Sequence, residues 1–183
     1  MKIIAGLAKG RVIKIPKDLE IVPTAGKVKM ALFEILKYEL EGMYVLDLFG
    51  GSGSLGLEAL SRGAKKAVFV DNNPVCVKLI KENAVLSGFE SSVDVIYGDA
   101  EQAAARLGKI GEKFTLVLID PPYNTGLVKK ALKAVFDNDI LKPGGVVAVK
   151  RHKKEELPAV SSEFGNDERI YGDTILNILR KKS

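Results

Sequence analysis

From residue 44 onward the chain repeats one unit: a short apolar run, a turn rich in glycine or acid, then a segment with helical spacing. The apolar runs 44–49, 67–71, 93–97, 114–120 and 146–150 read as strands, being short and rich in β-branched and aromatic residues. Between them, 55–62, 74–87, 100–107 and 127–136 read as helices, the second opened by Asn73 as cap and Pro74 in the first turn. Strands alternating with helices predict a parallel α/β sheet covered on both faces. Such sheets bind ligands at the carboxyl ends of their strands, near the topological switch point. Further helix and strand signals at 155–164, 168–171 and 175–180, joined by short turns, predict an antiparallel hairpin at one edge.

Ahead of the repeat, residues 2–5 and 11–15 flank Gly6 and Gly10 and read as a short β-hairpin. Pro16 and Pro23 mark a linker, and Thr24 is the expected cap of a helix through Leu40, with Val28, Leu32, Ile35 and Leu36 at helical spacing. The expected division is an extension over 1–40 and an α/β domain over 41–183. The N-terminal stretch is basic, with Lys2, Lys9, Arg11, Lys14 and Lys17 followed by Lys27 and Lys29. That distribution, within a net charge of +5, suits a polyanion such as nucleic acid. One cysteine excludes an internal disulfide, and one cysteine with one histidine predicts no zinc site. No apolar run approaches a bilayer-spanning length and no signal peptide opens the chain, so the expected location is cytoplasmic.

The first strand runs into Asp47-Leu48-Phe49-Gly50-Gly51-Ser52-Gly53 and directly into a helix. Glycine there lets the backbone approach a ligand closely. Gly51, Gly53 and Gly56 formally satisfy the G-x-G-x-x-G spacing of dinucleotide loops. The acids argue for another ligand. Asp47, before the loop, can accept from an ammonium group. Asp71, with Asn72, ends the second strand and suits ribose hydroxyls. Asp99, with Ala100, follows the third strand and suits an adenine amino group; it can also cap the helix that begins there. An amino acid head, a ribose and an adenine together describe S-adenosyl-L-methionine.

The fourth strand ends in Asp120-Pro121-Pro122-Tyr123. Prolines fix φ and supply no N–H, so the turn is stiff and its carbonyls are expected to point outward unpaired. A carboxylate, carbonyl acceptors and a flat aromatic face suit a planar base bearing an exocyclic amine.

These residues resemble class I methyltransferases, and the Asp120–Tyr123 turn resembles those acting on exocyclic amines of nucleobases. Ile3-Ile4-Ala5-Gly6 with Gly10-Arg11, Pro23-Thr24 with Val28 and Ala31-Leu32-Phe33, the loop through Gly56 with Glu58-Ala59-Leu60-Ser61-Arg62-Gly63-Ala64, and Tyr171-Gly172-Asp173-Thr174 are similar to the bacterial RsmD family of 16S ribosomal RNA guanine-N2 methyltransferases. The resemblance covers nearly the whole chain. It departs at Val22, where many members carry arginine, at Gly50, commonly alanine, and at Asp71, commonly glutamate.

The resemblance implies a Rossmann-like sheet, S-adenosyl-L-methionine as cofactor, and action on ribosomal RNA, as free RNA or within an assembling small subunit; a monomer is the default expectation. It places the target guanine on Tyr123 with its amine held by Asp120 and Pro121, beside Pro122. Asp47, Phe49, Gly50, Gly51, Ser52, Gly53, Asp71, Asn72, Asp99, Ala100 and Asp120 are then the expected cofactor residues. Lys9, Arg11, Thr24, Lys27 and Lys29 are the expected RNA contacts, and no metal takes part. The competing readings are an adenine-N6 methyltransferase, for which this length leaves no separate recognition domain, and a silent RNA-binding protein of the same fold. A dinucleotide oxidoreductase would need a substrate domain that is not evident. Cys76 is expected to be packing and His152 a solvated side chain.

Overall fold

A computed structural model describes residues 1–16 and 23–182, apart from the side chains of 23–25. Val22 and the Thr24 side chain therefore lie outside the described residues. The elements run α1 (Pro23–Ile35), β1 (Tyr44–Asp47), α2 (Ser54–Ser61), β2 (Lys66–Asp71), α3 (Pro74–Ser87), β3 (Val93–Tyr97), α4 (Ala100–Lys109), β4 (Phe114–Ile119), α5 (Leu127–Asp137), β5 (Leu141–His152), β6 (Phe164–Tyr171) and β7 (Thr174–Lys181). They form one seven-stranded sheet in the order β3-β2-β1-β4-β5-β7-β6. Its first five strands are mutually parallel, and β7 runs antiparallel between β5 and β6. Strand order reverses between β1 and β4, which puts the switch-point crevice between Asp47 and the turn after Ile119.

Period-two alternation divides the core. Val45, Phe69, Leu116, Leu118 and Ala148 pack on one face with the N-terminal segment and residues of α1, α2 and α3. Leu46, Val68, Val117, Ile119 and Val147 pack on the other with α4 and α5. Gly56 on α2 permits the first packing, because a Cβ there would stand 2.4 Å from the Phe69 ring.

Five expectations change. The N-terminal hairpin is a single antiparallel bridge, Lys2 to Val12, rather than two strands. Its backbone groups are spent on α2 instead of a ladder. Ile4 and Ala5 donate to the Glu58 carboxylate at 2.9 and 3.1 Å. Leu7 donates to Ser61 O (2.7 Å) and Ala8 to Ser61 Oγ (2.9 Å). Gly6 (φ 82°) makes that contact possible, since a Cβ would fall 1.7 Å from Ser61 O. Helix α1 ends at Ile35 rather than Leu40; Leu36 and Leu40 are fully buried from a turn, so their spacing served the core and not a helix. β1 stops at Asp47, two residues short of the expected Phe49. Residues 155–163 form no helix, as Pro158 within them would break one, whereas β5 extends through Pro143-Gly144-Gly145 by a register shift opposite Phe114 and Leu116.

Glu58 is the buried knot of this face. Besides the two N–H groups it pairs with Lys29 Nζ (3.1 Å) and Arg62 Nε (2.8 Å), and Lys29 also donates to Ser54 O (2.9 Å). Burial alone would raise the Glu58 carboxyl, but Lys29 and its other partners hold it below the usual range. Removing one member of a buried pair costs about 3–5 kcal/mol. Glu58→Ala should therefore lower the free energy of unfolding by that amount, read from a lower urea midpoint at an unchanged denaturant slope; a loss under about 1 kcal/mol, the scale of a surface pair, would contradict this role of Glu58.

Candidate active site

A cavity of about 930 Å³ opens at the carboxyl ends of the parallel strands. The loop after β1 forms one wall, with Phe49, Gly50, Gly51 and Ser52 on it. Asp71 with Asn72, and Asp99 with Ala100, continue that wall from β2 and β3. Asp47, Asp120, Pro121, Pro122 and Tyr123 line the switch point between β1 and β4. Met1, Lys2 and Ile4, with the segment Gly26–Met30, complete its lining. Gly53 turns the loop at φ 80° without lining the cavity.

Each acid is set differently. Asp71 accepts from Gly51 N (2.7 Å) and Asn73 N (2.9 Å), so it shapes the loop while lining the cavity. Asp99 caps α4 through Glu101 N (2.8 Å), as its position before Ala100 allowed. Asp47 is fully buried; burial above all, then the charge of Asp120, pushes its carboxyl up to about 7 against the pull of the Phe49 and Gly56 N–H groups. Asp120 is also raised, by burial, against the pull of Lys150. Gly50, where the resembled family commonly has alanine, is matched to this chain's own core, since a Cβ would lie 2.7 Å from Ile80 Cδ1.

The cavity's chemistry fits S-adenosyl-L-methionine. Glycine backbone stands open beside a buried carboxylate suited to an ammonium group. Two further carboxylates on adjacent strand ends suit hydroxyl and amino donors. Gly51, at φ 54°, presents its backbone with only Phe49 O within 4 Å of where a Cβ would stand.

The turn after β4 differs from expectation in one carbonyl. Pro122 O accepts from Thr125 Oγ1 (2.8 Å) and is not unpaired. Tyr123 is fixed by a hydrogen bond between its hydroxyl and Thr174 Oγ1 (2.8 Å) at the start of β7, and its ring lies 5.6 Å from that of His152. Lys150, near the end of β5, reaches both Asp120 oxygens at 2.9 and 3.1 Å. Sequence reasoning assigned no role to Lys150, Thr174 or Glu58. A lysine closing the apolar run 146–149 was a usable signal, by the same strand-end logic that singled out Asp47 and Asp120.

Of the expected RNA contacts, Lys27 is exposed on the cavity wall. Lys9 and Arg11 are exposed but do not line the cavity, and Arg11 donates to Leu86 O (3.0 Å). Lys29 is not a free phosphate contact: it is 5% exposed, and its ammonium is held by Glu58 and Ser54 O. No cluster of three side chains able to hold a metal, and no helix long and apolar enough to cross a membrane, occurs among the described residues.

Known proteins agree with this architecture. The model of the family described as Conserved hypothetical protein 95 matches residues 1–180. The chain belongs to that family, the RsmD methyltransferases. Bacillus subtilis YlbH is 32% identical over 183 residues, all of both chains. Ribosomal RNA small subunit methyltransferase D of Escherichia coli is 29% identical over 185 residues, covering 100% of this chain and 91% of that protein. The solved structure of Escherichia coli yhhF superposes with a TM-score of 0.88 at 27% identity, covering 100% of this chain and 98% of that one.

Asp47 carries a consequence for stability. Its folded carboxyl binds a proton more tightly than the unfolded chain's, near 4. The cofactor-free protein should lose stability as pH rises from about 4 to about 7. Asp47→Asn should flatten that fall and raise the melting temperature at neutral pH, while weakening cofactor binding by calorimetry. An unchanged pH slope would contradict the assignment.

Proposed function

We propose that this RsmD-family methyltransferase modifies the exocyclic N2 amine of a guanosine in small-subunit ribosomal RNA, acting as a monomer on an assembling particle. The observation that carries the reading is the juxtaposition, on one cavity, of the strand-end acids around the glycine loop with Asp120-Pro121-Pro122-Tyr123. The cofactor is S-adenosyl-L-methionine, which supplies an electrophilic methyl group.

The chain's own residues orient the acceptor. Tyr123, tethered by Thr174, offers a fixed ring against which an unstacked base rests. Stacking of this kind is worth about 1–3 kcal/mol per base. Asp120 and the Pro121 carbonyl accept the two amine hydrogens, which turns the nitrogen lone pair away from the turn and toward the cofactor loop. Positive charge developing on that nitrogen is favoured by the carboxylate, which takes the proton the amine sheds. Lys2, Lys9, Lys27 and the remaining donors of Arg11 contact phosphates, so binding weakens with salt. The extension over 1–40 acts as the RNA-gripping part and 41–183 as the methyl-transfer part.

Turnover on small-subunit RNA tests the reading. Asp120→Asn should reduce kcat by about 100-fold or more with the fold retained, the cost of a misheld reactant. Tyr123→Ala should act mainly on RNA affinity, by about 5- to 150-fold if stacking is its contribution. Unchanged turnover in a folded Asp120→Asn protein would sink the assignment.

A further inference from the structure

The floor of the cavity holds a cation that the mechanism above does not use. Lys150 Nζ bridges both oxygens of Asp120, at 2.9 and 3.1 Å, and lies 5.2 Å from the centroid of the Tyr123 ring. Its side chain is 18% exposed, inside the cavity rather than on an outer surface. Among the other lysines lining that cavity, Lys29 is held by Glu58, and Lys2 and Lys27 are exposed.

The groups around Asp120 come from several elements. Asp47 faces it from β1, and Asp71 bears on Asp47 from β2. Tyr123 belongs to its own turn, with the His152 ring of β5 5.6 Å from its ring and Thr174 of β7 bonded to its hydroxyl. Two carboxylates thus flank the switch point in a region that disfavours charge on either, and Lys150 bridges only one of them. A carboxyl that takes the proton shed by an amine must be ionised beforehand, because its protonated form has lost that site and keeps only part of its acceptor capacity. An opposite charge at this range lowers a carboxyl pKa by about 1–3 units.

We propose that Lys150 is a positioning residue of the methyl-transfer site: its bridging ammonium keeps Asp120 ionised beside Asp47 and fixes the plane of that carboxylate, so that the amino group of the target base meets an acceptor. The inference rests on the reading of Asp120 as the amine acceptor. Lysine has three ammonium donors, so Lys150 can retain one Asp120 oxygen while the other receives the amine. Burial of Asp120 pushes its carboxyl up, and the Lys150 charge pulls it back.

The test is a titration of the Asp120 carboxyl carbon by NMR of protein labelled at aspartate, with the resonance assigned through Asp120→Asn. Lys150→Met should move the midpoint upward by about one pH unit or more, and Lys150→Arg by less than a third of that. Lys150→Gln serves in place of Lys150→Met if the latter does not fold. The acid limb of kcat on small-subunit RNA should move in step, with KM for the cofactor nearly constant. An Asp120 midpoint equal to wild type in Lys150→Met or Lys150→Gln overturns the proposal. A midpoint that moves while the rate profile stays fixed keeps the hold of Lys150 on Asp120 and overturns instead the reading of Asp120.

Discussion

A single buried carboxylate, that of Glu58, ties the part of the chain before the sheet to the sheet itself. It accepts from the backbone of Ile4 and Ala5, pairs with Lys29 of α1 and Arg62, and sits on the helix that begins where the cofactor loop ends. Asn83 of α3 makes a second tie, donating to both Ser52 O of the loop and Lys14 O of the N-terminal segment at 2.8 Å. Part of the cavity lining is therefore built from residues that precede the α/β repeat, yet it is fixed to the end of the glycine loop through Lys29 and Ser54 O. Without Glu58 the buried Lys29 ammonium would keep Ser54 O but lose its counter-charge, and the amides of Ile4 and Ala5 would lose their acceptor, which costs far more than a surface pair could return.

A second constraint acts within the cavity. Parallel strands bring their carboxyl ends to one edge, so acids that close neighbouring strands necessarily crowd there. Burial above all, with the Asp120 charge second, raises Asp47 to about 7, and burial lifts Asp120, so each depends on a cationic or N–H partner to carry charge. Lys150 supplies that partner for Asp120. A bound ammonium group would supply it for Asp47. The site holds unfavourable charge in the free protein that ligands relieve, a common exchange of stability for function.

Much of this was legible in the residues because the pattern was local. Short apolar runs alternating with helical spacing yield the parallel sheet, and an acid at the end of a run marks a strand end, which is how Asp47, Asp71 and Asp120 were found. What escaped was long-range or depended on burial. Glu58 meets a residue 54 positions away, and Lys150 meets one 30 positions away, distances over which no spacing rule operates. Lys29 read as one more basic residue because charge is visible in sequence and burial is not. Leu36 and Leu40 extended the apparent first helix because a core-facing turn can keep the same apolar spacing as a helix. The N-terminal hairpin lost its ladder for a related reason: α2, far off in sequence, competes for the same backbone groups.

The identity of the modified nucleoside tests the proposed amine-holding role of Asp120 and its turn most directly. Small-subunit particles and their naked RNA, incubated with the protein and methyl-labelled S-adenosyl-L-methionine, would be digested and the labelled nucleoside identified by mass spectrometry. Label confined to N2-methylguanosine is the predicted result. Label in N6-methyladenosine, or none in either substrate, would contradict it.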